Sequence, residues 1–278
     1  MNLEDLPREL DGLTQFAKPP CHELDGERFH LVMDSGFDID LEFGRAMCVW
    51  NGWSAEYHCV KADDDTYLVT FIADPDGVRE CHSFVLDLEQ RLVTHHTCAA
   101  GRNPRHPLLM TDTYDFGAIE TEGYALPYRR HCFTGDLLGT QVQWHWTTDL
   151  VSRHAYLEPS FYRVTWEEGG RMEETFDEEM SMIPATDELA RYIKIKDRMY
   201  LFVVTEEKVE RLLGDNQPFR SDSMLFIENF DRMFHVGRAF GAMMVGGVPE
   251  PLYMIYGAFG KPLELPEKLL SLPNRYTV

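Results

Sequence analysis

The chain has 278 residues, 44% of them apolar and 12% aromatic, which suits one large globular domain or two ordinary ones and argues against disorder. Lys and Arg number 26 against 47 Asp and Glu, a formal net charge of −21 that disfavours nucleic acid and anionic membranes as partners. No apolar run reaches the roughly 18–20 residues that cross a bilayer. The opening Met1-Asn2-Leu3-Glu4-Asp5-Leu6 has no basic segment ahead of an apolar one, so a cytoplasmic chain without a secretory signal is expected.

In chain order, a short helix is predicted near Leu3–Phe16. Phe37 to Phe43 then alternates apolar and acidic residues, the period of a half-buried strand. Trp50, Trp53, Tyr57 and His58 cluster around a turn at Gly52. Thr66–Ile72 and Ser83–Asp87 flank Asp74-Pro75-Asp76-Gly77, the pattern of an antiparallel hairpin. His95 and His96 are adjacent and face opposite ways on a strand, so they do not share a metal. Arg129-Arg130-His131 is a basic knot in an acidic chain, placed near the junction of the two halves. Gln141–Trp146, Arg153–Leu157, Phe161–Trp166, Tyr200–Thr205 and Met224–Ile227 are further strand candidates. The acidic run Glu173–Glu179 lacks the ligand spacing of a calcium loop and is expected to be solvated. Short helices are predicted near Glu206–Leu213 and Pro266–Leu272. Six cysteines, Cys21, Cys48, Cys59, Cys81, Cys98 and Cys132, form no C-x-x-C pair and are expected to be reduced thiols rather than a zinc site.

The chain also repeats itself. Leu24-Asp25-Gly26 resembles Leu137-Leu138-Gly139, and Asp65–Val69 resembles Arg198–Phe202. Phe84–Asp87 resembles Leu225–Glu228, each followed by an Arg-apolar pair at Arg91-Leu92 and Arg232-Met233. Three matches in the same order, with spacing that grows along the chain, indicate duplication with longer insertions in the second copy. Many short strands in two copies imply an all-β fold of two closed antiparallel β-barrels with a few short helices, over residues 1–128 and 129–278.

Gly36-Phe37-Asp38-Ile39-Asp40-Leu41-Glu42-Phe43-Gly44 resembles the glycine-flanked acidic strand of the molybdenum cofactor biosynthesis protein F family. Arg153-His154-Ala155-Tyr156 with Tyr162, Ala190–Asp197, and Tyr200-Leu201-Phe202 are similar to it as well. The resemblance implies a tandem calycin, two lipocalin-like barrels, and an association with molybdenum cofactor genes. It implies no particular reaction, because a fold does not fix a function.

The chain lacks G-x-S-x-G, G-x-G-x-x-G, P-loop and H-E-x-x-H patterns, so catalysis without a metal or other cofactor is expected. Residues two apart on a strand share a face, which groups Val142 with Trp144 and Trp146, Ser152 with His154 and Tyr156, and Tyr162 with Val164 and Trp166. If these faces look inward they make an aromatic pocket with a few hydrogen-bonding groups, as a small-molecule site requires; a packed core is the alternative. His154, Tyr156 and His235 are the candidate acid–base residues. Trp144, Trp146 and Trp166 are the candidate walls, Arg153 and Arg163 the partners for a carboxylate or enolate, and Glu228 a further substrate contact. The leading expectation is a lyase or isomerase acting by decarboxylation, double-bond shift or cyclisation on an apolar or aromatic metabolite. A non-catalytic carrier or accessory factor of molybdenum cofactor assembly is the second reading. A homodimer formed through the first barrel is the third. The thiols are expected to fill the first barrel, leaving the ligand site to the second.

Overall fold

A computed structural model describes residues 14–74, 77–99, 110–148, 150–168, 185–205, 208, 219–245 and 248–270, with backbone alone at 166–168, 219–222, 242–245, 248–250, 268 and 270. The first eight strands are β1 (Arg28–Met33), β2 (Ile39–Phe43), β3 (Met47–Trp50), β4 (Trp53–Asp63), β5 (Thr66–Ala73), β6 (Glu80–Asp87), β7 (Leu92–Ala99) and β8 (Thr111–Ile119). Each pairs antiparallel with the next, and β8 returns to β1 through Leu31 opposite Ile119, closing a barrel. Closure removes the exposed edges that an open sheet would present.

A two-residue strand, β9 (Cys132–Phe133), leads into β10 (Thr140–His145), β11 (Leu150–Glu158), β12 (Phe161–Glu168), β13 (Thr186–Lys196), β14 (Met199–Thr205), β15 (Phe219–Asn229), β16 (Phe234–Val245) and β17 (Val248–Leu263). β10 pairs with both β11 and β17, and β12 with β13, so these eight strands close a second antiparallel barrel. β9 lies along β13 at Ile193 and Lys194, beyond the stretch that β12 covers. The fold is therefore all-β with two tandem barrels. α-Helix is confined, among the described residues, to Lys208 and one turn, α1 (Glu267–Leu270). The turn lies within the helix predicted near Pro266–Leu272. Residues 1–13, the run at 173–179 and all of 206–213 except Lys208 lie outside the described residues. So do Pro75 and Asp76 of the β5–β6 turn, whose flanking strands form the expected hairpin.

The internal repeat is visible in backbone detail. Gly26 and Gly139 both sit at positive φ (87° and 81°) just before the first strand of their barrel, while Leu24 and Leu137 plug the cores below. The fourth-to-fifth strand hairpin carries a register shift in both copies, between Lys61 and Asp63 and between Lys194 and Lys196. In the sixth-to-seventh hairpin the left-handed residue is Arg91 in one copy and Met233 in the other (φ 57° and 47°). The structural partner of Arg91 is thus Met233, one residue beyond the Arg232 that the sequence comparison aligned with it.

The barrels pack side by side through the outer faces of β4–β6 and β13–β16. Val60, Leu68 and Val85 meet Ile193, Leu201, Val203, Leu225 and Ile227. β6 is consequently buried along its whole length and loses the polar alternation of a surface strand. A charged network crosses this seam. Arg238, fully buried, donates to Ser83 Oγ (3.2 Å), the Ser223 carbonyl (2.5 Å) and His96 Nδ1 (3.1 Å). Since His96 Nδ1 accepts from Arg238, its proton sits on Nε2 and is donated to Asp112 Oδ1 at 2.8 Å. Burial raises the Asp112 carboxyl, but the His96 hydrogen bond and the nearby Arg238 outweigh it and hold the group below its ordinary range. The linker is tied down by its basic knot: Arg130 pairs with Asp34 (2.9 Å) and buried His131 bonds Thr94 (2.8 Å).

Candidate functional site

The antiparallel register decides which side chains meet inside the second barrel. Trp144 lies opposite Ser152, and Val142 opposite His154, so the tryptophan face and the histidine–tyrosine face both point inward. On the facing wall Glu228 lies opposite both Tyr200 and His235. His154, Tyr156, Glu228, His235, Trp144 and Trp146 are all at most 2% exposed. Two glycines make room for this ring-lined interior. A Cβ at Gly260 would stand 2.6 Å from the Trp144 ring, and one at Gly237 would collide with the Leu225 backbone and the Phe226 and Tyr256 rings.

Two hydrogen-bonded chains run through the interior. Trp144 Nε1 donates to Tyr156 Oη (3.3 Å), which donates to Glu228 Oε1 (2.7 Å). Trp146 Nε1 donates to Ser152 Oγ (2.7 Å), which lies 2.9 Å from His154 Nε2. Ser152 Oγ or His154 Nε2 is the donor in that contact, according to the His154 tautomer. His235 sits edge-on to Trp144, Trp146 and Phe226, with ring centroids 4.6, 4.9 and 4.7 Å away.

Four atoms of this set have no hydrogen-bond partner among the described residues: Glu228 Oε2, His154 Nδ1, and both ring nitrogens of His235. Buried polar atoms are rarely left so, and each orphan costs about 1–3 kcal/mol. Burial also sets the protonation states. It lifts the Glu228 carboxyl from 4.5 to about 8, a rise moderated by the Tyr156 hydrogen bond. It lowers His154 from 6.5 to about 3 and takes His235 well below its ordinary range, with His154 adding to the second effect. Tyr156 is pushed well above its usual value by burial and by Glu228. At neutral pH the interior therefore holds a carboxylic acid and two neutral imidazoles, which can give and take protons without a net charge.

The other sequence-predicted residues fall elsewhere. Arg153 and Arg163 share the outward face, opposite Gln143 and Ala155. Arg163 is held there by Asp187, at 2.7 and 3.1 Å. The side chain of Trp166 lies outside the described residues. Sequence reasoning passed over Ser152 as a functional group, although its place two residues before His154 already set it on the same face. It also assigned the six thiols to the first barrel's interior. All six are free, but Cys81 and Cys98 face the seam beside Phe240, and Cys132 is exposed.

The family model described as the MoaF N-terminal domain matches residues 2–100. The N-terminal barrel is MoaF-like. The match runs through β7 of the first barrel and agrees with the resemblance seen in the acidic strand at Phe37–Phe43; the second-half motifs lie beyond it. No curated protein matches the chain. A MoaF-like domain followed by a second closed barrel is the architecture of a small-molecule-binding barrel protein.

Proposed function

We propose that the second barrel binds a small, uncharged, largely apolar or aromatic metabolite and moves a proton on it without a cofactor, as a lyase or isomerase. The observation that carries this reading is the orphaned set of Glu228, His154 and His235 atoms in a wall of aromatic rings. Glu228 and His235 are cross-strand neighbours that make no hydrogen bond to each other, so a ligand polar group can stand between them. In a double-bond shift, neutral His235 takes a proton from carbon while Glu228 gives its proton to a carbonyl oxygen. Return of both protons, with delivery to a different carbon, restores the site. The aromatic walls hold the substrate and keep water out.

Among the described residues, the inner register of the second barrel carries one cation, Lys194, which Asp136 holds at the rim at 2.6 Å. This favours isomerisation or cyclisation of a neutral molecule over decarboxylation, which needs a counterion for the carboxylate. The MoaF-like first barrel favours a second reading, a carrier or accessory factor linked to molybdenum cofactor biosynthesis. Native mass spectrometry of protein from its own source, followed by incubation of the released molecule with fresh protein in D2O, separates the two. Catalysis predicts carbon-bound deuterium with the native chain and none with Glu228→Gln. Binding without deuterium uptake supports the carrier, and a consistently empty protein overturns both.

A further inference from the structure

The first barrel has its own buried polar chain, on the inner face of β6 and β7. His82 Nδ1 lies 3.0 Å from His95 Nε2, which is also 3.2 Å from Thr97 Oγ1. His82 Nε2 faces Glu80 Oε2 at 3.4 Å without forming a hydrogen bond. A carboxylate oxygen at that distance favours a proton on Nε2, which leaves Nδ1 to accept from His95. The Trp50 ring packs on His82 with centroids 4.3 Å apart, and its Nε1 is buried with no acceptor among the described residues. Phe71 stacks on His82, and Phe84 lies flat on His95 at 4.2 Å and 2°. Two neighbouring N–H donors, one on a side chain 3% exposed, thus stand without acceptors among stacked rings. The MoaF match covers all of these residues.

We infer that the first barrel is a second ligand site, which takes an uncharged planar aromatic molecule through a carbonyl oxygen accepting from Trp50 Nε1 and His82 Nε2. The stacked rings set the planarity. Two unpartnered donors on adjoining rings call for an oxygen acceptor, and buried Glu80 in the same wall opposes an anion. This site is separate from the one proposed in the second barrel and uses none of its residues.

The test uses the full chain labelled with 15N, whose five tryptophans give indole N–H signals in both barrels. Trp50→Phe identifies the Trp50 signal. Coumarin, a neutral planar lactone, is expected to shift that signal saturably, whereas naphthalene, which has the two rings but no carbonyl, is not. Trp50→Phe and His82→Phe should each weaken coumarin binding about tenfold, the loss of one hydrogen bond in a buried site. If Trp50→Phe fails to fold, loss of one indole signal on Trp50→Tyr makes the assignment, and the native titration with His82→Phe decides. The inference is overturned if coumarin leaves the Trp50 signal unmoved to its solubility limit or moves the Trp144 and Trp146 signals alone. Equal response to naphthalene, or native affinity in both variants, overturns it as well.

Discussion

Glu228 is the group whose protonation couples most directly to folding. In the native chain it is fully buried, accepts one hydrogen bond from Tyr156 and has no cation beside it among the described residues; its carboxyl is lifted from 4.5 to about 8. The native state thus holds a proton that the unfolded chain releases between those values. Stability contributed by this proton is complete below pH 4.5 and is lost as the pH rises through 8. The rise corresponds to about 5 kcal/mol over the whole range, at about 1.4 kcal/mol for each pH unit. Between pH 5.5 and 8.5 the loss is about 3 kcal/mol. Glu228→Gln keeps the shape and an acceptor for Tyr156 but cannot ionise. Urea unfolding of both proteins at pH 5.5, 7.0 and 8.5 should show the native chain losing about 3 kcal/mol relative to the variant across that interval. Parallel pH profiles, with a gap constant to within about 0.5 kcal/mol, would refute the claim that Glu228 is buried as a neutral acid.

At the acid end the sign reverses: His154 is neutral in the fold down to about pH 3, so stability is lost as the pH falls below 6.5, and His154→Phe should flatten a thermal-melt profile between pH 6 and 4. Gly260→Ala should cost about 1–3 kcal/mol in urea unfolding, because its methyl meets the Trp144 ring that the hydrogen bond to Tyr156 holds in place. Arg238→Met should cost about 3–5 kcal/mol, read by the same assay, because it leaves Asp112 and His96 buried at the seam without their cation. Arg232→Ala, which removes an exposed seam contact to Asp63 and Asp64, should cost less than about 1 kcal/mol.

Strands with clean period-2 patterns, such as Phe37–Phe43 and Phe161–Trp166, could be read directly, and so could the shared faces of Trp144 with Trp146 and of His154 with Tyr156; that both faces look inward came only with the barrel's register. The strands that sequence reasoning missed are those whose patterning answers to something else. β17 contains Pro249, Pro251, Gly257 and Gly260, breakers in isolation, yet Gly260 is there to seat Trp144. β7 carries His95 toward the first barrel's interior and His96 toward Arg238 at the seam. No alternation marks it as half-exposed, because both its faces are covered. The choice of Arg153 or Arg163 as a substrate partner did not anticipate Asp187, which arrives from β13 and holds Arg163 outside. Long-range neighbours of this kind are set by barrel closure, not by local periodicity.

The doubly buried β6 has a consequence for how the molecule comes apart. A strand clad on one side by its own barrel and on the other by its neighbour belongs to two hydrophobic cores at once, and neither barrel can open there without uncovering both. The seam acts as a third core, assembled from the outer surfaces of the other two, so melting of either half is transmitted to the other as a loss of apolar cover. The shared seam therefore favours unfolding of the two units as a single cooperative event. An excised N-terminal half would carry Val60, Leu68 and Val85 into water as an aggregation-prone stripe.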